Sequence, residues 1–273
     1  MTQGSQDKPK LTVLSIFAHP DDEAFGSGGT LAELVRKGHK MTTVCATNGD
    51  VGEISDPSLA TPENLWQVRQ EELRAAMKVT GIPDVRFLGY RDSGMDGTPD
   101  NDNPASLFQV DPAKVEAEIA ALLDELKPDI VFTHDPTGGY GHPDHVTVSQ
   151  RTTAAINAVT GRQPHVYHVC FPKRNFIKLW QDMTDAGITP PFAKEDLDNI
   201  GSPDDYLTTV RDVSAYVDIK KESLSCHRTQ LDPNGPFGAM APDTLTAWMS
   251  TEYFYLVQPT NGEAQEDILA KLA

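Results

Sequence analysis

His19, Asp21, Asp22 and Glu23 stand together in the stretch FAHPDDEAFGSGG, directly after the apolar run from Leu11 to Phe17. One imidazole and three carboxylates at the end of a buried strand are costly to bury unless a cation compensates them. A second group of the same chemistry, His142, Asp144 and His145, lies in GGYGHPDH. One histidine and one carboxylate from the first stretch, with one histidine from the second, make a three-ligand N/N/O set. Such a set holds a divalent metal and keeps a coordination position for water, as hydrolytic zinc sites require. Fe2+ and Co2+ accept the same donors. Either stretch alone reads as ordinary turn chemistry, since Asp-Asp after a strand is common. Two His-Pro-Asp stretches after two strands ask for a shared purpose.

The two stretches meet only if the strands before them are neighbours. Apolar runs at 11–17, 41–46, 85–89, 129–133 and 165–170 read as strands. Between them, helices are expected over 30–37, with Thr30 as N-cap and Gly38 as stop, over 62–80, from Pro112 to about 126, and over 146–158. The alternation argues for an α/β, Rossmann-like, mostly parallel sheet with helices on both faces. In such sheets functional residues gather past the carboxyl ends of the strands. Residues 91–110 read as loop. Beyond residue 173 the pattern is less regular, with a helix near 176–184, a strand over 207–213 and a helix over 214–229. The expectation is a single domain over 1–273 with an elaborated C-terminal third and a flexible tail over 1–10.

A formal net charge of −17 argues against nucleic acid or an anionic membrane as partner. No apolar run approaches the ~20 residues of a membrane span. The start, MTQGSQDKPK, lacks the apolar core of a signal peptide. Cys45, Cys170 and Cys226 are widely spaced and form no CxxC, so neither a disulfide framework nor a thiolate metal site is supported. A cytoplasmic protein acting on a small molecule fits best, and a homo-oligomer is compatible with the sequence. Gly26, Gly28 and Gly29 do not make GxGxxG, which argues against a dinucleotide enzyme.

The paired stretches AHPDDE and GGYGHPDH resemble the PIG-L/LmbE-like N-acetylglucosamine deacetylase family, which includes mycothiol and bacillithiol deacetylases and the mycothiol S-conjugate amidase. RQEELRAAMKVTG (69–81), LGYRDSGM (88–95) and KKESLSCHRTQ (220–230) extend the resemblance over most of the chain. It implies a zinc-dependent hydrolase that deacetylates a GlcNAc-type conjugate. It also implies His19, Asp22 and His145 as metal ligands and Asp21 as the general base for the attacking water. His142 would be cationic and would stabilise the oxyanion or protonate the leaving amine, with Asp144 tuning it. Tyr140 would donate to the oxyanion, and Arg69 would stand at the sugar pocket. Asp92 is favoured over Asp96 as an acceptor for sugar hydroxyls.

These roles agree with what amide hydrolysis needs: activated water, a carboxylate beside it and positive charge near the developing oxyanion. Glu23 is expected behind a ligand or at a helix cap, His134 as structural, and His227 either in the cleft or at a helix end. HRTQLDPNGPF and TEYFYL look somewhat closer to the amidase branch. A non-catalytic sugar-binding protein is the alternative from another class; the presence of every ligand and of the base argues against it.

Overall fold

The computed structural model describes residues 10–235, 237–259 and 264–272. The tail expected over 1–10 therefore lies, but for Lys10, outside the described residues. In chain order the elements are β1 (Thr12–Phe17), α1 (Asp22–Gly26), α2 (Gly28–Arg36), β2 (Lys40–Thr47), α3 (Leu65–Thr80) and β3 (Asp84–Tyr90). There follow α4 (Pro112–Leu126), β4 (Ile130–His134), α5 (Gly138–Gly141), α6 (Pro143–Asn157) and β5 (His165–Cys170). The C-terminal third adds α7 (Lys173–Asp185), β6 (Thr209–Asp212), α8 (Val217–Ser225), α9 (Pro242–Met249), β7 (Thr251–Val257) and α10 (Ile268–Lys271).

The strands form one seven-stranded sheet in the order β3-β2-β1-β4-β5-β7-β6. The five strands from β3 to β5 are parallel, whereas β7 runs antiparallel to both β5 and β6. β1 is central and covered on both faces, so it reads as a continuous apolar run rather than an alternating one. Its side chains still divide by parity. Val13 and Phe17 join Leu31, Leu34, Leu73 and Met77 of α2 and α3, while Leu14 and Ile16 join Val115, Ile119 and Val148 of α4 and α6. Each such buried side chain contributes ~1.5–3 kcal/mol. Strand order reverses between β1 and β4, and the crevice at that switch point is where a sheet of this kind takes a ligand. Both histidine-bearing stretches emerge there.

Several expected boundaries move for identifiable reasons. α2 begins at Gly28, two residues before the expected cap, because Glu252 of β7 accepts the Gly29 and Thr30 N–H groups, each at 2.8 Å. Thr30 Oγ1 is buried without a hydrogen-bond partner and caps nothing. α6 begins at Pro143 rather than 146, which puts His145 in its first turn. The helix expected over 214–229 is α8, which stops at Ser225. The Thr229 N–H and hydroxyl both donate to the Glu72 carboxylate, at 2.8 and 2.6 Å, and this draws the chain out of helix.

Candidate active site

The loop after β1 and the first turn of α6 bring the lone pairs of three side chains together. His145 donates its Nδ1–H to the Gly138 carbonyl at 3.1 Å, so its Nε2 carries a lone pair. That Nε2 lies 3.0 Å from His19 Nδ1 and 3.3 Å from Asp22 Oδ1, and Asp22 Oδ2 lies 3.6 Å from His19 Nδ1. His19 turns its other nitrogen, Nε2, to Asp144 Oδ2 at 3.2 Å and to Asp92 Oδ1 at 3.5 Å. A carboxylate on the far nitrogen fixes the tautomer of a metal-binding histidine. An acceptor facing an acceptor at 3.3 Å needs a proton or a cation between them. Ligands about 2.0–2.1 Å from a tetrahedral ion stand ~3.3 Å apart; the His19–His145 and His145–Asp22 Oδ1 separations lie near that value, and His19 faces the other Asp22 oxygen. The sequence-expected triad thus fits a divalent metal.

The surrounding carboxylates favour positive charge at this point, a proton on His19 or a metal ion in its place. Burial works to lower the His19 pKa, but Asp92, Asp144 and Asp22 outweigh it and hold it well above the ordinary value. Burial works to raise the Asp22 pKa, and the His145 and His134 rings override it and hold it well below the carboxylate range. Three groups of donors overlap these residues: His19, His142 and His145; His19, Asp92, His142 and Asp144; and Asp22, His134 and His145.

Asp21 is adjacent to Asp22 and faces elsewhere. Its Oδ2 accepts from Arg69 NH2 at 3.1 Å. Burial, only partly offset by Arg69 and reinforced by Asp22, raises its pKa to about 6. Arg69 itself is 3% exposed, and its other bonds go to the Pro20 and Gly49 carbonyls at 2.8 and 2.9 Å. The residue expected at the sugar pocket thus ties Asp21 to the loop after β2. Gly49 has φ 62°, and a Cβ there would come within 2.4 Å of the guanidinium, so only glycine fits.

His142 is the N-cap of α6, and its Nδ1 accepts the Asp144 N–H at 3.2 Å. Burial and any charge on His19 and His145 push its pKa down, while Asp92 and Asp22 oppose them. With Nδ1 turned to the Asp144 N–H, Nε2 is the nitrogen of His142 left to donate. The Asp144 carboxylate holds His19, accepts from the Ser93 hydroxyl and, at 2.9 Å, the Ser93 N–H, and has an oxygen within 4.8 Å of a His142 ring nitrogen. Asp92 is buried, with Oδ1 on the Gly94 N–H at 2.8 Å and towards His19, whereas Asp96 is exposed. Tyr140 is 45% exposed, with its ring edge-on to His145 at 5.1 Å and to His142 at 6.2 Å. The GGYG turn that carries it packs closely, since a Cβ on Gly138, at φ 66°, would come within 2.9 Å of the His145 Cβ.

Two residues at the site lay outside the sequence expectation. His134, read as structural, stacks on His145 at 4.0 Å and accepts the Ala18 N–H at 3.0 Å, with Asp22 Oδ2 3.3 Å away. Its place at the end of β4, one strand from the AHPDDE loop, was a usable signal. Ser93 carried none, because its partner is 51 residues away.

The profile of one family, PIG-L (GlcNAc-PI de-N-acetylase), matches residues 14–156, just over half of the chain. This chain belongs to the PIG-L family. Three curated relatives carry the name 1D-myo-inositol 2-acetamido-2-deoxy-alpha-D-glucopyranoside deacetylase. That of Acidothermus cellulolyticus is 36% identical over 91% of this chain and 89% of its own length. The Thermobifida fusca protein is 36% identical over 90% and 92%, and the Mycolicibacterium gilvum protein 33% over 97% and 99%. Among solved structures, the A40926 pseudoaglycone deacetylase Dbv21 superposes with a TM-score of 0.61 at 20% identity, covering 93% of this chain and 100% of that one. The N,N'-diacetylchitobiose deacetylase of Pyrococcus horikoshii gives 0.56 at 20% identity over 90% and 84%. The hydratase GalB of Pseudomonas putida gives 0.56 at 19% over 94% and 100%. At such identities the likeness speaks for fold alone, and a hydratase among the neighbours shows that the scaffold does not dictate the reaction. The sequence relatives do distinguish: as a PIG-L deacetylase this chain is an enzyme that hydrolyses an amide bond. Among the described residues no helix is long and apolar enough to cross a membrane.

Proposed function

We propose that this chain is a zinc-dependent deacetylase acting on a glucosaminyl-inositol, taking the acetyl group from the 2-acetamido nitrogen. The observation that carries the reading is the convergence of three lone-pair donors, His19, Asp22 and His145, beside a fourth group, Asp21, that none of them uses. The substrate class rests on the names of the relatives above, which favour the deacetylase over the S-conjugate amidase. A divalent ion held by His19, Asp22 and His145 supplies Lewis acidity to water and to the amide carbonyl.

The remaining chemistry belongs to the chain. Asp21 takes the proton of the attacking water and returns it to the amine nitrogen as the C–N bond breaks. A carboxyl raised to about 6 is suited to both transfers near neutral pH. His142 Nε2–H and the Tyr140 hydroxyl donate to the carbonyl oxygen as it becomes negative. Asp144 and Ser93 hold His19 in the tautomer that leaves Nδ1 free. Arg69 and Asp92 contribute to substrate binding by fixing the loops around Gly49 and Gly94 that border the sugar. The whole chain works as one domain. Unpaired Cys45, Cys170 and Cys226 suit a reducing cytoplasm.

The test is acetate release from the 2-acetamido glucopyranoside of myo-inositol. Protein stripped with chelator should be inactive and should recover with Zn2+, and the comparison includes Fe2+, Co2+, free N-acetylglucosamine and a mycothiol S-conjugate. Full turnover by rigorously metal-free protein would remove the metal from the reading, and a preference for the S-conjugate would replace the substrate.

A further inference from the structure

Glu23 and His227 take no part in the chemistry just described, yet both are sealed inside, 1% and 0% exposed. His227 follows α8 and meets Glu23 across 204 residues of sequence, Nε2 to Oε1 at 2.8 Å. The second oxygen, Oε2, accepts the N–H of Asp21 at 3.0 Å. Asp21 has φ 132° and ψ −26°, and it is one of two non-glycine residues with positive φ among those described. Such a backbone is strained and persists only where its surroundings over-determine it. Here they do. The peptide joining Pro20 to Asp21 is gripped at both ends: its carbonyl accepts Arg69 NH2 at 2.8 Å and its N–H donates to Glu23. The twist separates two adjacent carboxylates, sending Asp22 to the histidines and Asp21 to Arg69.

We propose that the His227–Glu23 pair is a positioning device for Asp21, holding the Pro20–Asp21 peptide in its strained orientation so that the carboxylate meets the water. This rests on Asp21 being the base. A purely structural pair would cap α1 and tie it to α8, and its loss would lower stability without acting through Asp21.

The experiment uses the zinc-loaded full chain with the glucosaminyl-inositol substrate, reading kcat, KM, zinc per chain and melting temperature. Glu23→Ala should lower kcat about tenfold with KM within about twofold and zinc retained. Glu23→Gln should recover most of the rate, because its amide oxygen can take the Asp21 N–H while its amide N–H meets His227. In an Asp21→Asn background, Glu23→Ala should cost less than about twofold more, since its effect runs through a group already removed. If Glu23→Ala does not fold, His227→Phe, which keeps the ring volume, completes the same cycle with Asp21→Asn. Parent kcat in the single variants, or an undiminished loss in the Asp21→Asn background, would overturn the positioning role while leaving the deacetylase reading intact. A zinc-loaded parent that releases no acetate from any acetamido sugar sinks both.

Discussion

Asp21 and Asp22 are neighbours in sequence and opposites in environment. Histidine rings hold Asp22 ionised, while burial raises Asp21 to about 6. Environments that push two carboxyl pKa values apart assign their roles. Asp21→Asn should keep its metal, since the ligand set is untouched, and should lose about 10²–10⁴ in kcat. Metal content and steady-state rate together check this. On the proposal that Asp21 is the base, which acts only as the carboxylate, the parent rate should fall on the acid side as pH drops through a pKa at or below about 6, a bound cation nearby pulling that value down. An acid limb unchanged in Asp21→Asn would assign it to another group. Of this site, His19, His145 and the carboxylates between them were legible because their types and spacing repeat at two strand ends. Arg69 and Asp144 were legible as residues but not in their contacts. Whether an arginine meets sugar or fastens a base depends on which backbone carbonyls the fold brings to it. The use of the His142 ring to cap α6 was equally hidden.

At the scale of elements, the parallel half of the sheet was readable because each buried strand is followed by a helix with an apolar stripe. Of the antiparallel edge, β6 was readable as the strand expected over 207–213, and β7 was not. β7, Thr251–Val257, alternates buried and half-buried residues, and its buried set includes Glu252, a charge that breaks the expected pattern. That charge explains itself only in three dimensions. Glu252 satisfies two N-terminal N–H groups of α2 and pairs with Lys220 Nζ at 2.8 Å, both side chains being nearly inaccessible. Removing one partner of a buried ion pair leaves the other uncompensated. Glu252→Ala, which strands Lys220 and both amides, should destabilise by about 3–5 kcal/mol in denaturant unfolding. Lys220→Met should cost less, because Glu252 keeps two backbone donors. Equal losses in the two variants would contradict the capping role.

The whole molecule carries a formal charge of −17, so lowering the pH first relieves self-repulsion. A histidine buried with little opposing charge acts in the other direction. His168 of β5 is 3% exposed. Its Nδ1 meets the Tyr206 hydroxyl at 3.0 Å, and its Nε2 has no hydrogen-bond partner. Burial lowers its pKa from 6.5 to about 4, with Asp135 opposing. Above 6.5 neither folded nor unfolded chain protonates the ring. Between 6.5 and about 4 the unfolded chain takes the proton alone, so stability is lost as pH falls through that window and no further below it. The loss from this one residue between pH 7 and pH 5 should be about 2 kcal/mol. Charge relief and histidine protonation overlap in the parent curve, and His168→Gln separates them, because the variant keeps the formal charge and the fold but removes the titrating ring. Unfolding free energies of chelated parent and variant, measured in denaturant at both pH values, should converge towards pH 5 by that amount. Parallel curves would mean that the unpartnered His168 nitrogen takes its proton in the folded sheet as readily as in the unfolded chain.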